Sequence, residues 1–150
     1  MVVQPQDPDF DQRVRASFAR QAFMATIGAR IVSIAPGEVV LELAFDQSLT
    51  QQHGFLHAGV VAALADNACG FAALSLMQPG AAVMSVEFKV NLMAPAAGTF
   101  FRAAGRVIRA GRTLTVCSAE VVAADGDREK VVAVMQATMM SMKGRPGLSD

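Results

Sequence analysis

The sequence predicts an α+β fold in which a curved antiparallel sheet wraps around one long central helix. Three observations lead there. The patterned segments run helix, two strands, a long apolar helix, then four strands, the layout of an antiparallel sheet with helices on one side. The separators between the last strand-like segments are short and carry Pro, Gly or Asp, so neighbouring strands are expected to run antiparallel. The long helix is apolar nearly all round. A flat sheet covers only one face of such a helix, so a curved sheet or a partner subunit must cover the rest.

Each element follows from local pattern. Residues 7–22 read as an amphipathic helix, with Asp7 or Asp9 as cap, Pro8 in the first turn, and Phe10, Val14, Phe18 and Ala22 on one face. Gly28 ends that region. "ARIVSIAPGEVVLELAF" reads as a hairpin, because two β-branched runs flank Pro36-Gly37. "DQSLTQQHGF" is a polar loop. The Ala/Leu-rich run from Ala58 to Met77 holds few β-branched residues and meets Pro79-Gly80, so it is predicted as helix. Four strands follow, in "AAVMSVEFKVNLMAP", "GTFFRAAGRVIRAG", "RTLTVCSAEVVAAD" and "KVVAVMQATMMSMK". The expected division is a helix and lead-in over 1–27, one domain over 28–143, and a flexible tail over 144–150.

Composition excludes several functions. The 150 residues make one domain with room for a core. The formal net charge is zero and there is no Trp or Tyr, so neither a basic field nor a broad stacking platform is available for nucleic acid. Cys69 and Cys117 sit in apolar runs and read as small buried hydrophobes of a reducing compartment. The N-terminal stretch lacks the basic-then-apolar layout of a signal peptide, and the chain reads as cytoplasmic. The apolar run 58–77 is about as long as a bilayer span. Asp66 lies near its middle, where an acid costs about 2.5–3.5 kcal/mol on insertion scales. A buried helix is therefore predicted, with no membrane partner.

The chemistry concentrates between Gln51 and Gly70. Both histidines, His53 and His57, are here, four residues apart. Paired histidines at that spacing bind zinc when both lie on one helix. Gly54 and Gly59 interrupt the stretch and place His53 in the loop, so no metal site is assigned. If the helix starts at His57 to Gly59, the N–H groups of Ala58 and Gly59 have no helical partner and carry the positive end of the dipole, a ready site for an oxyanion. Asp66 is the one charged residue between His57 and Met77. Burial should raise its pKa, as a general base or poised nucleophile requires, and a structural acid bonded to a nearby hydroxyl would show the same pattern. Ala58 and Asp66 are eight residues apart, roughly 12 Å along a helix. One carbonyl carbon cannot sit near both in one chain. Two antiparallel copies of the helix in a C2 dimer would bring Ala58 of one beside Asp66 of the other, twice.

"HGFLHAGVVAALADNACGFAAL" resembles the PaaI-like branch of the hotdog-fold acyl-CoA thioesterases, and "VMSVEFKVNLMAPAAG", "GRVIRAGRTLTVCSAEV" and "VVAVMQATMM" match in order over about residues 28–142. The resemblance implies a hotdog fold, dimers often paired into tetramers, active sites at the subunit interface, and no cofactor beyond CoA as part of the substrate. It implies that Asp66 is the catalytic acid, acting as base or nucleophile on the thioester. His57 would position the loop and the thioester oxygen. Ala58 stands where the family has the first Gly after that His and keeps the backbone donor. Gln51 stands where relatives carry a polar amide that binds the acyl carbonyl or a water. Ser85 matches a strand position whose hydroxyl orients the water or the acid. The resemblance suggests nucleotide contacts at the turn flanked by Arg109 and Arg112, where Thr113 and Gly111 could add hydroxyl and backbone donors; Lys143 and Arg145, after the last strand, are weaker candidates. Phe23, Met24, Phe55 and Phe71 are loose candidates for an apolar acyl pocket. His53 has no counterpart and reads as a solvated loop residue.

The expected activity is hydrolysis of an acyl-CoA thioester to free acid and CoA. Two alternatives stay open on the sequence: a hotdog hydratase or dehydratase, which pairs His and acid for proton transfer beside the carbonyl, and a non-catalytic acyl-CoA binding module.

Overall fold

The computed structural model describes residues 4–150; residues 1–3 of the expected N-terminal lead-in lie outside the described residues. The elements are α1 (Phe10–Ala19), α2 (Ala22–Ile27), β1 (Arg30–Ala35), β2 (Glu38–Ala44), a 3-10 turn (Gln47–Leu49), α3 (Ala58–Leu74), β3 (Ala82–Leu92), β4 (Phe100–Ala110), β5 (Leu114–Asp125) and β6 (Arg128–Met142). All six strands join one antiparallel sheet in the order β1-β2-β4-β5-β6-β3. The sheet wraps α3, which contacts β2, β3, β4, β5 and β6. This is the hotdog architecture.

The core is the seam between α3 and the inner sheet face. Val61, Leu64 and Ala68 meet Leu41, Phe101 and Val121, all fully or almost fully buried. Small residues on the helix let the sheet come close. At Gly105 in β4, an added Cβ would stand 2.3 Å from the backbone of Ala68, so only glycine fits that contact.

Four local expectations need correction. The predicted 7–22 helix is two helices. The N–H groups of Arg20 and Gln21 bond back to Ser17 and Phe18, and Gln21 turns extended (φ −81°, ψ 102°) before α2 begins. The break lets both halves bury a face: Val14 in α1, then Met24 and Ile27 in α2. Asp7 does not cap through a helical N–H. It accepts from the Asp9 N–H and pairs with Arg13 at 3.2 Å. Arg13 in turn donates to the carbonyls of Leu74, Met77 and Gln78, neutralising the negative end of α3. Secondly, α3 stops at Leu74 rather than Met77. Buried Ser75 donates to the Ala72 carbonyl and accepts from the Gly37 N–H, tying the helix end to the β1–β2 turn.

Thirdly, β3 does not pair with β4. It lies beyond β6 at the sheet edge. Residues 93–99 are an irregular crossover rather than a hairpin turn, anchored where the Leu56 N–H meets the Ala96 carbonyl and the Phe45 N–H meets that of Thr99. The other turns fall as expected, at Pro36-Gly37, Gly111–Thr113 and Gly126-Asp127. The end of the chain, expected as a flexible tail, is tied back. The Asp150 carboxylate accepts from Ser17 Oγ and from the Val83 N–H. No helix among the described residues is long and apolar enough to cross a membrane.

Candidate active site

The N-terminus of α3 is built by its own loop. His57 is the cap residue, extended at φ −61° and ψ 136°, and its Nδ1 accepts the Gly59 N–H at 2.8 Å. That corrects the expectation of two free oxyanion donors, because Gly59 spends its N–H on the cap. The Ala58 N–H bonds to no group among the described residues. His57 is also held through its own N–H on the Leu49 carbonyl. Gln51 Oε1 accepts from the N–H groups of His53 and Phe55 (2.6 and 3.3 Å) and so shapes the loop. Its NH2 group is left for other partners. His53 is exposed, beside Gln52, and no group of three metal-ligating side chains occurs among the described residues.

This loop closes one side of a cavity of about 510 Å³. Gln51 is its one polar side chain. Phe55, Leu56, Ala58, Val61, Met93 and Val132 supply most of the apolar wall. Met93 and Val132 were invisible to the sequence reading, since only the crossover after β3 and its contact with β6 bring them here.

Asp66 sits two turns further along α3, half-buried. Ser85 Oγ on β3 donates to its Oδ1 at 2.7 Å. Burial raises the Asp66 pKa above the ordinary carboxylate range, and the Ser85 bond opposes that rise. A second, smaller cavity of about 230 Å³ opens here, lined by Gln21, Asp66, Asn67, Gly70, Phe71, Val83 and Ser85. The structure therefore joins Asp66 to Ser85 and Gln51 to Ala58, but leaves the two pairs on separate cavities.

Arg109, Gly111, Arg112 and Thr113 are exposed at the β4–β5 turn. The Gly111 N–H bonds the Leu114 carbonyl, and the Thr113 carbonyl accepts from Ser141. Neither arginine is in an ion pair among the described residues. Thr115, Met139 and Ser85 lie in one row across the sheet, so the cationic turn lies two residues along β5 from the row that holds Ser85. Gly111, Arg112 and Lys143 also line a narrow cleft against the C-terminal end of α3. Of the apolar candidates, Phe55 lines the large cavity and Phe71 the small one. Met24 is wholly in the core, and Phe23 is 54% exposed and lines neither cavity.

The thioesterase superfamily profile matches residues 53–130, which spans His57, Ala58, Asp66 and Ser85. The chain belongs to the thioesterase superfamily. As a member it is a thioester hydrolase. It is 28% identical over 120 residues to the 1,4-dihydroxy-2-naphthoyl-CoA hydrolase of Listeria monocytogenes, covering 80% of this chain and 95% of that one. The crystal structure of a thioesterase family protein from Silicibacter pomeroyi superposes with a TM-score of 0.89 at 52% identity, covering 90% of this chain and 99% of the other. The E. coli PaaI protein shares the fold, with a TM-score of 0.82 at 21% identity over 93% of this chain and 97% of that one.

Proposed function

We propose that the protein hydrolyses acyl-CoA thioesters at a site completed by a second copy of the chain. The observation that carries this is the division of labour along α3. Ala58, whose N–H bonds to no group among the described residues, and Asp66, the one acid on the helix, line different cavities, eight residues apart, or roughly 12 Å. Two features support a second copy. The side of α3 that the sheet leaves half-open carries Ala62, Ala63, Asp66 and Asn67, a face small enough for another helix to approach. Beside it, edge strand β3 exposes Val86, Phe88 and Leu92 and offers unpaired backbone groups to a further strand.

In this reading the thioester carbonyl oxygen accepts the Ala58 N–H of one copy. Gln51 NH2 adds a second donor. Asp66 of the other copy, steadied by Ser85, takes a proton from water as the hydroxide adds to the carbonyl carbon, or adds directly and forms an anhydride that water then opens. Either way the C–S bond breaks, CoA leaves as the thiol, and a carboxylic acid is released. His57 acts through the cap, by fixing where the Ala58 N–H points. Arg109 and Arg112 hold CoA phosphates at the exposed β4–β5 turn, where neither has an ion-pair partner among the described residues. The reaction needs only protein groups and water, with CoA entering as part of the substrate. A cytoplasmic supply of CoA esters agrees with two buried, unpaired cysteines.

A panel of CoA esters assayed for thiol release tests the proposal. The wild type should release CoA from at least one ester and Asp66→Asn should not. Thiol release by Asp66→Asn at the wild-type rate would overturn it, and enoyl-CoA hydration without thiol release would favour the hydratase alternative.

A further inference from the structure

The two cavities differ in chemistry, and the smaller one contains a residue that the thioesterase reading does not use. Gln21 sits in the extended link between α1 and α2, outside the sheet-and-helix core. Its backbone is committed: its N–H goes to Phe18 and its carbonyl accepts from Ala25. Its side-chain amide makes no cap bond and no other hydrogen bond among the described residues, and the residue lines both the Asp66 cavity and a neighbouring surface cavity shared with Arg20 and Asp150. Asn67 lies on the same wall. Its Nδ2 donates to the Ala63 carbonyl at 3.1 Å, which leaves Oδ1 open. Gly70, one turn beyond Asp66, puts no side chain into the space. Phe71 and Val83 close it.

The cavity thus presents a donor and an acceptor on Gln21 and an acceptor on Asn67, around a small volume with an apolar back wall. No Lys or Arg lines it, so it is not built for an anionic group. A plain alkyl chain entering it would strip water from both amides and give nothing back, which is a penalty. A neutral hydroxyl or amide would satisfy them.

We propose that Gln21 is a specificity-determining residue that recognises a neutral hydrogen-bonding substituent, such as a hydroxyl, on the acyl group of the thioester. This rests on the thioesterase reading, since the acyl group reaches the cavity because its carbonyl carbon lies at Asp66. The preferred substrates are then short acyl groups with a hydroxyl near the carbonyl rather than long saturated chains, which would also outgrow about 230 Å³.

The test compares pairs of CoA esters that differ by one hydroxyl, such as 3-hydroxybutyryl-CoA and butyryl-CoA. Wild-type kcat/KM should favour the hydroxylated member by roughly five- to tenfold, the worth of one neutral hydrogen bond. Gln21→Leu should bring that ratio close to one, and Gln21→Asn should restore part of it. Thermal unfolding confirms that the variants fold. An unchanged ratio in Gln21→Leu, or a wild type without preference, would overturn the inference. So would an equal fall in kcat on both esters, which would instead make Gln21 a holder of the attacking water. If the wild type cleaves neither ester, the hydrolysis reading is judged separately, by the wider panel of CoA esters. Calorimetric binding of the same two esters then decides the inference, a preference lost in Gln21→Leu supporting it and an unchanged one overturning it.

Discussion

Replacing Ala58 by proline isolates the oxyanion donor without damaging the helix that carries it. Ala58 is the first residue of α3, and its N–H bonds to no group among the described residues. Proline is favoured at that helix position because the missing N–H has no helical partner to lose. A residue before proline must be extended, and His57 already is, at ψ 136°. Stability should therefore hold or rise by about 0.4–1 kcal/mol. The activity should fall, because the ring replaces the hydrogen that would meet the thioester oxygen. Removing one such donor costs about 2.7–4 kcal/mol of transition-state stabilisation, or about 10²- to 10³-fold in kcat. Ala58→Val is the control for bulk: it keeps the N–H, so KM should rise more than kcat falls. The assay is steady-state thiol release beside thermal unfolding. A folded Ala58→Pro protein with kcat within about threefold of wild type, against the 10²-fold expected of a lost oxyanion donor, would refute the assignment.

Other expectations follow from Asp66 and from packing. Burial raises the folded-state pKa of Asp66, so folding favours its protonated form, and ionised Asp66 costs stability at neutral pH. Asp66→Asn should therefore unfold at a higher temperature than wild type at pH 7. The gap should shrink as pH falls through the raised pKa and close near pH 4, the unfolded value of about 3.9; a gap independent of pH would contradict the cause given. Since either role of Asp66 needs the ionised acid, kcat/KM should fall on its acid limb above the range of an ordinary aspartate. Ser85→Ala removes the bond that opposes the rise, so that limb should move to higher pH, and an unmoved limb would show that Ser85 does not act on the acid. Gly105→Ala forces a Cβ to within 2.3 Å of the Ala68 backbone; an overpacked seam costs about 1–3 kcal/mol, read by denaturant unfolding.

The fold was legible because one run, Ala58 to Leu74, is apolar on nearly every face and can be satisfied only by a wrapping sheet. The turns at Pro36-Gly37 and Gly126 were legible for their backbone chemistry, both glycines being left-handed at φ 78° and 60°. The place of β3 was not. Pro95 and Gly98 look like hairpin punctuation, and only the pairing of Ser85 with Met139 shows that the strand crosses to the other edge. The division of α1 from α2 has no Gly or Pro to announce it, because Gln21 turns extended for the sake of burying Met24 and Ile27. Within the site, Asp66 stood out as a lone acid. The competition between His57 Nδ1 and a substrate for the Gly59 N–H did not, since cap geometry depends on a side-chain rotamer. Gln21 reaches its cavity only through tertiary folding, and its type and spacing carry no signal.

A site shared by two chains is the central claim, and mixing two dead variants tests it most directly. Ala58→Pro and Asp66→Asn should each be inactive alone. Refolded together in equal amounts, half of the dimers would carry one chain of each kind. In each of these the intact Ala58 of one chain faces the intact Asp66 of the other at one of the two sites. Thiol release should then return to roughly a quarter of the wild-type rate under C2 symmetry. A mixture as inactive as its two components would place Ala58 and Asp66 in one chain's site and contradict the account.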